Sequence, residues 1–113
     1  MAKSSKSELV PGTLDMLTLK TLSLGPLHGY GIAQHIQRLS NDVLRVEEGS
    51  LYPALQRLLA KGWVRAEWRV TPTGRRARYY TLTPAGRKQL GVEHASFAET
   101  MRAIARVMNA KAT

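Results

Sequence analysis

At 113 residues the chain is long enough for one domain with a modest hydrophobic core and too short for two independent ones. Its 17 Lys plus Arg against 8 Asp plus Glu give a net charge of +9, and an isoelectric point near 10.5 falls in the range that marks a nucleic-acid footprint. The absence of cysteine excludes disulfides, thiolate metal sites and Cys nucleophiles, and no run approaches the about 18 to 20 apolar residues of a membrane span.

Residues 1–9, with Lys3, Lys6 and several serines, bury nothing and read as a flexible basic arm. They also lack the apolar stretch of a signal peptide, so a soluble cytoplasmic protein is expected. The first helix should open at Pro11-Gly12-Thr13, with Thr13 as its cap and Asp15 near the positive dipole end. Leu14, Met16, Leu17, Leu19, Leu22 and Leu24 make it apolar on more than one face, which asks for cover on two sides. Gly25-Pro26 ends it.

A second helix is expected from Gly29 to Leu39, because Ile32, Ala33, Ile36 and Leu39 recur at helical spacing. Ser40-Asn41-Asp42 signals a turn, and Leu44-Arg45-Val46 reads as a short strand. The third helix should start at Gly49-Ser50, take Pro53 in its first turn and stop at Gly62 as a left-handed cap. Its buried stripe is Leu51, Leu55, Leu58 and Leu59. By subtraction, Ser50, Tyr52, Pro53, Gln56 and Arg57 look outward.

Trp63 to Val70 alternates Arg65, Glu67 and Arg69 with Val64, Ala66, Trp68 and Val70, the period-two pattern of a half-buried strand. A turn over 71–76 and a second strand over Ala77 to Leu82 complete a hairpin with Arg75, Arg76 and Arg78 at its tip. Trp63 and Trp68 are most simply core residues. Thr83 as cap and Pro84 at the first helical position announce a final helix to about Met108, roughly 37 Å long at ~1.5 Å per residue. That is too long to lie wholly over so small a domain. Leu90, His94, Phe97, Met101, Ile104 and Met108 follow the spacing of a coiled-coil seam, which implies a partner helix.

The expected fold is therefore mainly α with a small β-hairpin, a winged helix-turn-helix over 10–83 followed by a dimerisation helix over 84–108 and a tail over 109–113. In that arrangement the third helix enters the major groove of double-stranded DNA. Ser50 and Tyr52, near its N-terminus, could be plain helix-start residues, but a docked recognition helix reads DNA mainly through such side chains. Arg57, one turn on, reaches a guanine edge or a phosphate. Arg75, Arg76 and Arg78 repel one another in a bare turn, and phosphate contact explains their presence. Tyr30, following Gly29, is open to a core place as well as to a DNA-facing one. Leu90, Phe97, Met101, Ile104 and Met108 are assigned to the homodimer seam.

His28, His35 and His94 are scattered, and neither an HExxH motif nor a Gly-rich phosphate loop is present. The sequence therefore reads as a non-enzyme without cofactor or metal. The rival reading is a protein-binding adaptor, since winged helices also serve that role and a heptad helix can pair with a different chain.

Four segments together resemble the PadR family of bacterial regulators. They are Pro11-Gly12-Thr13-Leu14-Asp15-Met16-Leu17, then Gly25-Pro26-Leu27-His28-Gly29-Tyr30-Gly31-Ile32, then Glu48-Gly49-Ser50-Leu51-Tyr52-Pro53-Ala54-Leu55 with Gly62-Trp63-Val64, and finally Gly74 to Gly86. The resemblance implies a dimeric winged-helix regulator, usually a repressor, that binds a palindromic operator and is released by a small molecule or other signal. The single C-terminal helix is similar to that of the compact members, some of which sense drugs at the dimer interface through a helix tryptophan. This chain departs from them in carrying Phe97 as the aromatic residue of that helix, and the candidates for effector binding are Phe97 and Met101. The resemblance also implies that the start of the second helix faces the DNA backbone, where the Tyr30 hydroxyl binds phosphate.

Overall fold

The computed structural model describes residues 12–112. The basic arm expected over 1–9 lies outside them. The described residues form four helices and a three-stranded antiparallel sheet: α1 (Thr13–Leu22), β1 (Leu27–His28), α2 (Gly29–Leu39), α3 (Glu48–Ala60), β2 (Val64–Val70), β3 (Arg76–Leu82) and α4 (Pro84–Met108). This is the winged helix-turn-helix with an added C-terminal helix. Leu14, Leu19 and Leu22 of α1, Ile32 and Ile36 of α2, and Leu51, Leu55 and Leu58 of α3 meet Val64, Tyr80 and Leu82 of the hairpin root in one core.

Each boundary has a local cause. Gly12, at φ 91°, is the residue before α1, so Thr13 is the first helical residue and not the cap. His28 caps α2 by accepting the Gly31 N–H at its Nδ1, 3.0 Å away. Gly62 adopts φ 75°, and the bonds from its N–H to the Leu59 carbonyl and from the Trp63 N–H to the Leu58 carbonyl close α3 in a Schellman turn. The Thr83 hydroxyl caps α4 through the Gly86 N–H and donates to the Gly62 carbonyl at 2.7 Å. One side chain thus ties the end of α3 to the start of α4.

Several expectations are corrected. α3 begins at Glu48, because the extended Glu47 offers its carbonyl to the Ser50 and Leu51 N–H groups and the acidic residues suit the positive dipole end. Ser50 therefore lies inside the first turn, and Pro53 one turn further in. Residues 44–46 form no strand. β3 instead pairs on that side with Leu27–His28, in the register Leu27 to Tyr80 and His28 to Tyr79, which leaves no ladder there for another segment. Leu24, in the turn after α1, and Leu39, at the end of α2, are exposed. Trp68 is exposed at 59%, because the hairpin projects beyond the helices that cover its root.

Candidate nucleic-acid interface

The N-terminal half of α3 presents Ser50, Tyr52, Pro53 and Gln56 to solvent, while Leu51, Ala54, Leu55 and Leu58 on its other side are buried. The helix is thus pinned along one stripe and bare along the other. Tyr52 is 44% exposed, and its ring leans toward the start of α2, where a Cβ on Gly29 would meet ring atoms at 3.0 to 3.3 Å. Burial, then the Glu48 carboxylate and Tyr80, raise its phenol above the ordinary value, so it stays a neutral hydroxyl. Tyr30 is 57% exposed at the first turn of α2 and accepts a hydrogen bond from the Gln34 side chain at 3.0 Å.

This geometry makes Gly29 a determinant of the Tyr52 position that sequence reading missed. Gly29→Ala is expected to push the ring aside and lower duplex affinity about fivefold, a cost of roughly 1 kcal/mol, while folding changes little. Titration of a labelled duplex beside a melting curve checks it.

Arg57 faces outward as subtraction suggested, its side chain 53% exposed, but it is not alone there. Its Nη2 lies 2.8 Å from Oδ1 of Asp15, and its Nε 3.4 Å from Oδ2, so the guanidinium bridges α3 to α1. That hydrogen bond, then the carboxylate charge, raises its pKa further. Asp15 had been read only as a helix-dipole residue; forty-two positions separate it from Arg57, a distance no local pattern spans.

The hairpin tip is closed by its own hydrogen bonds. Thr71 donates its N–H to the Arg75 carbonyl at 2.7 Å, its hydroxyl accepts the Arg75 N–H at 3.1 Å, its carbonyl accepts the Gly74 N–H at 2.9 Å, and Gly74 takes φ 88°. Arg75, Arg76 and Arg78 are all exposed around it. Antiparallel pairing sets Val70 opposite Arg76 and Trp68 opposite Arg78, so these four share one face. Arg76 lies over the Trp68 ring, 5.0 Å from its centroid. On the other face Arg69 pairs with Glu67 and sits over Tyr79, whose ring also meets His28 edge-on. Arg69 is committed to the wing itself. Tyr80 is buried and Tyr79 is not, so the two tyrosines build no shared stacking platform.

On α4, Leu90 is half-buried against the chain's own core, and Phe97, Met101, Ile104 and Met108 are exposed. Phe97, Met101 and Ile104 line a groove of about 450 Å³ with Val92 of α4 and Gly12, Thr13 and Met16 at the start of α1. Val92 and Val107 are exposed apolar residues that the heptad reading left out, and His94 is exposed outside the groove. Among the described residues no cluster of His, Cys, Asp or Glu could hold a metal ion, and no helix is long and apolar enough to cross a membrane.

The family model for the PadR-like transcriptional regulators matches residues 18–92. A transcriptional regulator of Mycobacterium tuberculosis is 43% identical over 68 residues, which is 60% of this chain and 63% of that protein. Among solved structures, a transcriptional regulator from Clostridium thermocellum superimposes with a TM-score of 0.77 at 27% identity, over 84% of this chain and 89% of that one. A PadR family regulator from Eggerthella lenta does so with a TM-score of 0.73 at 26% identity, over 88% and 85%.

Proposed function

The chain belongs to the PadR-like family of transcriptional regulators, and from that membership we propose that it acts as a dimeric repressor on a palindromic operator. The observation that supports this best is the bare N-terminal half of α3 in a chain whose hairpin tip carries Arg75, Arg76 and Arg78. Two such heads, held about one duplex turn or ~34 Å apart, would place their α3 helices in successive major grooves. Ser50 and Tyr52 then meet base edges, Tyr30 meets a phosphate at the start of α2, and the wing arginines hold flanking phosphates. Arg57, paired with Asp15 yet 53% exposed, reaches a phosphate or a guanine edge from the same face.

Pairing is assigned to residues 84–108, with 10–83 as the DNA-binding head and the residues after Met108 as a tail. Its support is the apolar run Phe97, Met101, Ile104 and Met108 partly open on α4, whose remaining exposed area a partner would take out of water at about 25 cal/mol per Å². Met101→Asp is expected to weaken self-association roughly a hundredfold, because the interface would then bury an unpaired charge. Sedimentation equilibrium reads the change, and the exposed position leaves the fold intact. A small molecule seated against Phe97 and Met101 would release the operator by favouring a head spacing that the operator does not fit.

The test is genomic selection: the protein is incubated with sheared DNA of its own organism at about 150 mM salt, where non-specific phosphate attraction is weakened, and bound fragments are sequenced. Enrichment of a short inverted repeat supports the dimeric operator reader. A folded, dimeric protein that enriches nothing points to the adaptor reading.

A further inference from the structure

Near its root, one face of the hairpin packs Val64, Tyr80 and Leu82 into the core. Beyond the helices the same face continues uncovered, with Trp68 59% and Val70 66% exposed. The opposite face carries Arg65, Glu67 and Arg69, the polar residues that a solvent side calls for. An indole and a valine on the inward face, past the reach of the chain's own core, ask for a cover from outside.

The charge around them selects the cover. Arg76 and Arg78 share this face with Trp68, and Glu67, the carboxylate of the hairpin, lies on the other. A second copy of this chain, at net +9, would bring like charge against it. A duplex groove offers what the face lacks: a wall of apolar deoxyribose edges flanked by phosphates. The Arg76 guanidinium over the ring, 5.0 Å from its centroid, fixes the indole before any partner arrives, so little rotamer freedom is lost on docking.

Resting on the DNA-binding reading above, we propose that Trp68 is itself a DNA-contacting residue of the wing, laid against the sugar wall of the groove between the phosphates held by the tip arginines. Its contribution is apolar. It therefore differs from theirs in releasing no counterions and leaving the salt dependence of binding unchanged.

The experiment uses the full chain and a duplex enriched by selection, or calf-thymus DNA if no operator emerges. Trp68→Ala is titrated across a series of salt concentrations, and Trp63→Phe leaves Trp68 as the single tryptophan, excited selectively over tyrosine for acrylamide quenching. The expected result is a loss of roughly tenfold in affinity at every salt with an unchanged slope, and shielding of Trp68 from acrylamide in the complex. Wild-type affinity in Trp68→Ala, or equal accessibility of Trp68 with and without DNA, overturns the proposal. So does a loss that comes entirely with a flatter slope, since the ring would then act only by holding Arg76. If the unmodified protein binds no duplex at all, the DNA-binding reading fails first and this one with it.

Discussion

Alanine at Arg75, Arg76 and Arg78 together is expected to lower duplex affinity by ~10³-fold or more near physiological salt and to flatten the salt slope. Each phosphate neutralised releases condensed counterions and contributes about 0.9 to the slope of log K against log salt. With three such contacts from each wing of a dimer, the slope should flatten by about 5. The arginines stand on a tip whose backbone is closed by Thr71 and Gly74, so they are presented in place and not recruited from a loose loop. The same change should leave the melting temperature nearly level, because all three side chains are exposed and relief of like charge offsets the lost contact of Arg76 with the Trp68 ring. That pairing of outcomes separates a binding role from a structural one. Unchanged affinity and slope would falsify the phosphate role of the wing.

Gly86→Ala is expected to destabilise the fold by about 3 kcal/mol or more, at the upper end of what overpacking costs. A Cβ there would stand 2.0 Å from the Trp63 carbonyl oxygen and 2.7 Å from Cδ1 of Leu82. Leu82 can turn aside; the carbonyl is fixed, because it accepts the Thr83 N–H at 3.1 Å and follows directly on the Schellman turn at Gly62. Relief would need α4 to lift from the hairpin root, breaking the Thr83 cap with it. Helix propensity favours alanine over glycine by only about 1 kcal/mol and does not offset the clash. Gly91, in the same helix but with open space around it, is the control: Gly91→Ala should raise stability by up to about 1 kcal/mol. Urea unfolding of both variants decides it, and a Gly86→Ala protein as stable as its parent would show that α4 is not seated on that carbonyl.

The elements that could be read from sequence are those whose cause is local. Helical recurrence at Ile32, Ala33 and Ile36 set α2, a cap and a proline at Thr83 and Pro84 set the start of α4, and Gly62 set the end of α3. The charge at the hairpin tip was legible for the same reason, since neighbouring residues carry it. What depended on distant partners was not legible. β1 exists because Tyr79 and Tyr80 offer it a ladder across fifty residues, and two residues carry no period of their own.

The candidate site divides in the same way. Sequence placed Ser50 and Tyr52 on the bare side of α3, yet it could not show that Arg57 is held by Asp15 or that Tyr52 rests by Gly29. Trp68 illustrates the limit best. Alternation put it correctly on the inward face, but whether an inward residue is buried depends on how far the helices extend over the sheet, and that is fixed only when the whole chain packs. The sequence by itself determined the family, the order of the four helices and the hairpin, and the basic wing, because composition, caps and short-range period are written in neighbouring residues. Only the tertiary structure decided which of those side chains are pinned, which are covered and which stand free, because that is a matter of contacts between residues far apart in the chain.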